Sequence, residues 1–281
     1  MCVSLDRVVP PRMSLEVNFN MRFNTRLFVI LWLAGLAGVL SFLLIDLDAL
    51  IKILPIPAET EIPPIPALRL LSLIQQAIIL TVAVLVGVAL ASKVGLSSPV
   101  AEAAASGGDA VSAFKPQIIP GIIGGLAGGV SLVLIAAVLK PFLSPEMLAR
   151  IGEFGRVLPF PTRLLYGGIL EELLLRWGLM TLLVWAAWWL FQKGRGQPKP
   201  SFFVGAIVIS SLVFAIGHLP IAFMLFPEPT LALTLFVIIG NSAFGLIAGY
   251  LYWKKGLESA MIAHALTHVV MFTAGYFGVY F

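Results

Sequence analysis

Residues 118–139 read IIPGIIGGLAGGVSLVLIAAVL. The stretch carries no charge, and a bilayer-spanning helix needs about 20 mostly apolar residues. Six further stretches read the same way: Leu27–Ile45, Leu70–Ala91, Leu164–Leu190, Phe202–Leu219, Leu231–Trp253 and Leu257–Tyr280. Composition agrees. Of 281 residues, 59% are hydrophobic and 11% charged, whereas soluble domains carry about 25% charged residues. Mean hydropathy is +1.01. These values exclude an ordinary cytosolic enzyme, a disordered chain and a nucleic-acid binder. The expected fold class is all-α, a polytopic membrane helix bundle of seven or eight transmembrane helices. Its localisation is integral and multi-pass, with the lipid bilayer as its first partner. The expected organisation is an N-terminal tail over 1–26 and one membrane-embedded helical domain over 27–281.

The segments between the spans refine this. The first apolar run is longer than a signal-peptide core of about 7–15 residues, so it reads as a retained span. The fifth span is short and is expected to continue past Pro220 as a kinked helix. Residues 144–157 (SPEMLARIGEFGRV) open with a helix-start signal and look amphipathic, so they are expected to lie along the interface. If they dip inward, the count becomes eight. Gly121, Gly124, Gly125, Gly128 and Gly129 are spaced for close helix contact, with internal packing favoured over a homodimer face. Trp185, Trp188 and Trp189 read as an interfacial belt. Asn241 and Ser242 read as helix–helix hydrogen bonds. Net charge is +4. With the N-terminus inside, inside segments hold eleven Lys and Arg against six outside, a bias that favours this orientation. The lone cysteine, Cys2, excludes a disulfide framework or thiolate metal site.

The chemistry lies in the second half, 164–281. An ionisable residue deep in a span costs roughly 2.5–3.5 kcal/mol on insertion scales, so each needs a reason. Six lie within spans: Glu171, Glu172, Arg176, His218, His264 and His268, including every histidine of the chain. Glu172 and Arg176 are four apart and can pair, a structural ion pair. Glu171 lies about 100° round the helix and faces elsewhere. A carboxylate without its own cation suits a general base. His264 and His268 share one face, as do Phe214 and His218. A single histidine in an apolar helix is more often a packing residue. Three with two glutamates point to function. Phe214 and Trp177 read as packing or substrate-contact residues.

Glu171-Glu172-Leu-Leu-Leu-Arg176 resembles an EExxxR motif, Phe214-Ala-Ile-Gly-His218 an FxxxH motif, and His264-Ala-Leu-Thr-His268 an HxxxN/D motif. In this order they resemble the CAAX protease and bacteriocin-processing family, which includes the type II CAAX prenyl endopeptidases. The resemblance covers about Leu164–His268. It implies an intramembrane endopeptidase acting on a peptide or protein substrate, with no nucleic-acid partner. Glu171, helped by His218, would activate a water. His264 and His268 would polarise the scissile carbonyl or stabilise the oxyanion. Glu172, Arg176 and Phe214 would support the site. The family has Asn or Asp where this chain has His268, and a neutral histidine can still donate one hydrogen bond.

Two other readings stand beside this one. No cofactor is expected on the glutamate-type reading. The alternative is a zinc metalloprotease with His218, His264, His268 and Glu171 as ligands and water in the open position. The i, i+4 histidine pair suits zinc, although Ala265 replaces the glutamate of an HExxH helix. The non-enzyme reading is a membrane scaffold or a proton-coupled carrier using the same Glu and His as a relay. Carriers often show internal repeats, and none is visible here. Substitution of Glu171 by Gln separates the two: it abolishes cleavage in a protease and leaves assembly intact in a scaffold.

Overall fold

The computed structural model describes residues 23–57 and 59–279; Cys2 and most of the expected N-terminal tail lie outside them. Among the described residues all regular structure is helical. Seven helices are long and apolar enough to cross a membrane. In chain order the elements are α1 (Thr25–Leu44), the short α2 (Leu47–Ile53), α3 (Ile65–Val94), α4 (Pro99–Ser106), α5 (Ala110–Phe142), α6 (Pro145–Val157), α7 (Phe160–Gln192), α8 (Pro200–Leu225), α9 (Leu231–Lys254) and α10 (Leu257–Tyr276). The chain is an integral, multi-pass membrane protein.

The spans start where the sequence supplies caps. Asn24, Asp109 and Thr230 accept backbone N–H groups of the first turns of α1, α5 and α9, satisfying donors that a helix start leaves open. The spans that begin furthest ahead of their apolar runs are α3 and α5. α3 starts at Ile65 with Pro66 in its first turn, where the missing N–H costs nothing. α5 starts at Ala110 and runs through Pro116 and Pro120, a tolerance common in membrane helices. The segment before it also holds α4, anchored at a distance. One carboxylate oxygen of Glu258 accepts from Ser98 Oγ (2.6 Å) and from the N–H groups of Val100 and Ala101. Gly256 makes the reversal between α9 and α10 at φ 122°, against Pro99. Any side chain there would be strained and would meet the proline ring.

α6 does not span. It has 13 residues, and its apolar side (Met147, Leu148, Ile151, Phe154) packs on a small cluster of Leu143, Leu225, Phe226 and Leu233. The fifth span does continue past Pro220: its helix breaks at His218 and resumes over Leu219–Leu225.

The glycines of α5 pack inside the bundle. A Cβ on Gly121, Gly125 or Gly129 would lie 2.5–2.6 Å from Ile262, Leu266 or Val270 of α10. At Gly128 it would meet Thr267 Oγ1 at 2.6 Å. Thr267 Oγ1 donates to Gly125 O (3.1 Å), and Ser259 Oγ to Gln117 Oε1 (2.7 Å). Helix approach through small residues is what association in lipid relies on, and here it fixes the histidine-bearing helix.

Two expectations are corrected. Asn241 donates to Val237 O of its own helix (2.8 Å), and Ser242 Oγ is buried with no partner among the described residues. Neither bonds between helices, because one turn back a carbonyl lies within reach of the short amide. Trp188 is not at the lipid belt. It is buried, and its Nε1 donates to Gly196 O (3.1 Å), holding the loop after α7. Trp185 and Trp189 do stack on each other at 6.2 Å.

Candidate active site

The site is built on α7, α8, α9 and α10. α7 departs from α-helical geometry over Arg163–Glu171 and Leu173–Met180, where its backbone has π-type turns. Such turns bond i to i+5 and are frequent at functional sites. Glu171 and Glu172 stand where these two stretches meet. Both reach the same imidazole. His264 Nδ1 lies 2.8 Å from Glu172 Oε1, and His264 Nε2 lies 3.7 Å from Glu171 Oε2.

The two glutamates are not equivalent. Glu172 is fully buried, as is Arg176, whose Nε lies 3.3 Å from Glu172 Oε2. The Arg176 guanidinium also donates to Gly245 O of α9 (3.0 Å) and sits 5.3 Å from the Phe214 ring and 6.0 Å from the Phe244 ring. Glu172 thus joins a cation on its own helix to a histidine on α10, with aromatic rings around the charge. The Glu171 side chain keeps 16% of its surface exposed. It alone of the pair is open to water and substrate.

Phe214 organises the ring cluster. It is buried, 4.6 Å from the His218 ring and 5.8 Å from the His264 ring, nearly perpendicular to both. Trp177 is likewise buried, against Gly87 of α3. His218 stands at the break of α8, and its Nδ1 lies 2.8 Å from Phe214 O. A carbonyl only accepts, so Nδ1 carries the proton and Nε2 is the free position in the neutral ring. His264 and His268 stack 5.0 Å apart at 13°.

α7 and α10 approach closely because α7 has Gly167 and Gly168. A methyl on Gly167 would collide with His268 Nε2 and lie 3.4 Å from His264 Nε2; one on Gly168 would lie 3.1 Å from Ala265 Cβ. None of the three motifs includes this glycine pair, which stands just before the glutamates in Tyr166-Gly-Gly-Ile-Leu-Glu171. The sequence does carry a signal for it: two adjacent glycines in a helix lower its propensity and need a packing reason.

All the expected site residues lie in one region, with different contacts. Glu171, Glu172, Arg176, Phe214, His264 and His268 form a chain of touching groups. His218 adjoins through Phe214 and makes no ion pair with either glutamate among the described residues. The four proposed zinc ligands are not gathered round a common point as arranged. Among the described residues no three His, Cys, Asp or Glu are placed to hold a metal. Zinc needs lone pairs converging at about 2.0–2.1 Å. Here His264 Nδ1 faces Glu172 and His218 Nδ1 faces a carbonyl, which leaves Nε2 of each ring as the nitrogen a metal could use; the His264 and His268 rings lie face to face.

Comparison with known proteins bears on the same residues. Residues 153–270 match the family model described as type II CAAX prenyl endopeptidase Rce1-like. No curated protein and no solved structure matches the chain. The matched stretch covers α7 to α10 through all three motifs, bearing out the resemblance read from them.

Proposed function

Residues 153–270 carry the likeness to the Rce1-like type II CAAX prenyl endopeptidases, and from that premise we propose that the chain is an intramembrane endopeptidase of glutamate type. Its substrate is a peptide or protein held at the membrane. Glu171 takes a proton from water, and the resulting hydroxide attacks the scissile carbonyl carbon. The tetrahedral oxyanion forms beside the histidines, and donors aimed at such developing charge are the larger part of hydrolytic catalysis. Collapse breaks the C–N bond, and the proton on Glu171 passes to the leaving amine.

One observation carries the assignment of the base. Of two adjacent carboxylates on α7, only Glu171 is open, while Glu172 is buried between Arg176 and His264. A base needs access to water, and a buried ion pair does not have it. His218 supports the reading from the side. With Nδ1–H donated to Phe214 O, its Nε2 is free to accept from the same water. The 3.7 Å from Glu171 Oε2 to His264 Nε2 exceeds a direct hydrogen bond and suits groups that share a bridging molecule.

The test is cleavage of a membrane-tethered peptide by the purified chain, with metal content measured on the same sample. Activity that survives exhaustive chelation and is abolished by Glu171→Gln supports the proposal. Activity lost on chelation and restored by zinc overturns it in favour of the metal-dependent reading.

A further inference from the structure

On the lipid-facing side of the bundle, a groove of about 590 Å³ runs between α5 and α9. Its walls are Ile119, Pro120, Ile123 and Gly124 on one side and Leu246, Ile247, Tyr250 and Leu251 on the other. The volume lies within the roughly 300–1,000 Å³ of small-molecule sites. Its walls are apolar, but its end is not: Lys255 closes it. α5 and α9 run antiparallel, since Gly124 faces Leu251 and Gly128 faces Phe244. Lys115 therefore lies at the same end as Lys255, one helical turn before Ile119 on the same face. Both lysines are exposed, and neither makes an ion pair among the described residues. Lys254, by contrast, rests on the Trp253 ring at 3.4 Å. α5 begins and α9 ends at this level, so the lysines stand at headgroup depth.

We propose that the groove between α5 and α9 is a binding site for an anionic glycerophospholipid. One acyl chain fills the apolar groove and the headgroup phosphate is held by Lys115 and Lys255. The complementarity is specific in both parts. A cleft between two spans at hydrocarbon depth excludes water and accepts a hydrocarbon chain. Two unpaired cations at its mouth select a negative headgroup, as basic pockets between transmembrane helices do. The same surface also carries Lys93 and the loop 193–199, the basic side of the chain, which the charge bias places toward the anionic leaflet. The site is independent of the protease reading, and its ligand binds α5, the helix that positions α10.

Native mass spectrometry of the purified full chain tests this. The probes are phosphatidylglycerol and phosphatidylcholine of identical acyl chains. Two lysines near the headgroup favour the anionic lipid on the order of 10- to 30-fold. K115Q/K255Q should bring the two lipids to equal retention. L246W, which fills the groove, should lose both. Both lysines are exposed, and the parent chain gives an independent readout: phosphatidylglycerol should raise its melting temperature more than phosphatidylcholine. Equal retention of the two lipids by the parent chain overturns the proposal, as does a preference that survives K115Q/K255Q. A dimer that forms through the groove in place of a lipid adduct overturns it too.

Discussion

His264 Nδ1 lies 2.8 Å from Glu172 Oε1, while the neighbouring Glu171 lies 3.7 Å from the other nitrogen of the same ring. One imidazole is thus flanked by two carboxylates adjacent in sequence. The pair lies where the two π-type stretches of α7 meet. The Glu172 carboxylate is fully buried, and the Glu171 side chain keeps 16% of its surface exposed.

Replacement of Glu172 by Gln should act on stability first. It leaves the Arg176 guanidinium buried with its counter-charge removed, a loss of about 3–5 kcal/mol for a broken buried pair. Thermal unfolding in detergent measures it. A melting temperature close to that of the parent would show that Arg176 does not depend on this carboxylate.

Glu171→Gln should do the reverse. Its side chain is partly exposed and bears no cation, so melting should stay near the parent value. Cleavage should fall by roughly 10²–10⁴-fold, the usual contribution of a positioned base. His218→Ala should lower turnover and leave the fold intact, since its polar contact is one carbonyl at a helix break. Parent-like cleavage by Glu171→Gln would remove it from the base role.

The glycine of α7 offers a double-mutant cycle. Gly167→Ala drives a methyl into the His268 ring and should depress cleavage more than stability. In a His268→Ala background the same change meets space and should add little. Non-additivity of this kind measures coupling between the two positions. His268→Asn, which keeps a hydrogen-bond donor, should retain most activity. Additive effects would place the damage of Gly167→Ala somewhere other than His268.

How much of this was legible in the sequence depended on the kind of signal. Seven spans could be read because an unbroken apolar run of about 20 residues is rarely tolerated outside a bilayer. The site residues stood out because charge in such runs is costly. The starts of α3 and α5 were hidden, since prolines read as breakers in water yet sit inside both helices. The division of labour between Glu171 and Glu172 was half visible: spacing gave the Arg176 pair, but π-type turns have no sequence signature, so the shared grip on His264 did not show. Asn241 departs from expectation because nothing in a sequence tells whether an amide bonds its own helix or the next.

Outside the membrane, Glu102 gives a pH prediction. Burial pushes its carboxyl above the ordinary 4.5; the Ser98 N–H opposes this, and the nearby Glu258 charge adds to it. The folded state therefore holds this proton more tightly than the unfolded chain. Its contribution is most favourable below 4.5 and is lost as pH rises through the raised folded value. Melting compared from about pH 4 to about pH 7 should show the parent losing ground to Glu102→Gln, which does not titrate. Parallel curves would show that this carboxyl titrates alike in both states.

The glycine contacts of α5 bear on how loss-of-function changes in this chain are to be interpreted. α5 contributes no polar group to the site, yet Gly121, Gly125, Gly128 and Gly129 each touch a residue of α10 between Ile262 and Val270, the stretch that carries both histidines. In an activity screen these positions would score like catalytic ones, as a stripe recurring every three to four residues along a helix that lends the site no polar group. Residual binding of an uncleaved substrate, lost with the glycines and kept with Glu171→Gln, would tell the scaffold from the chemistry.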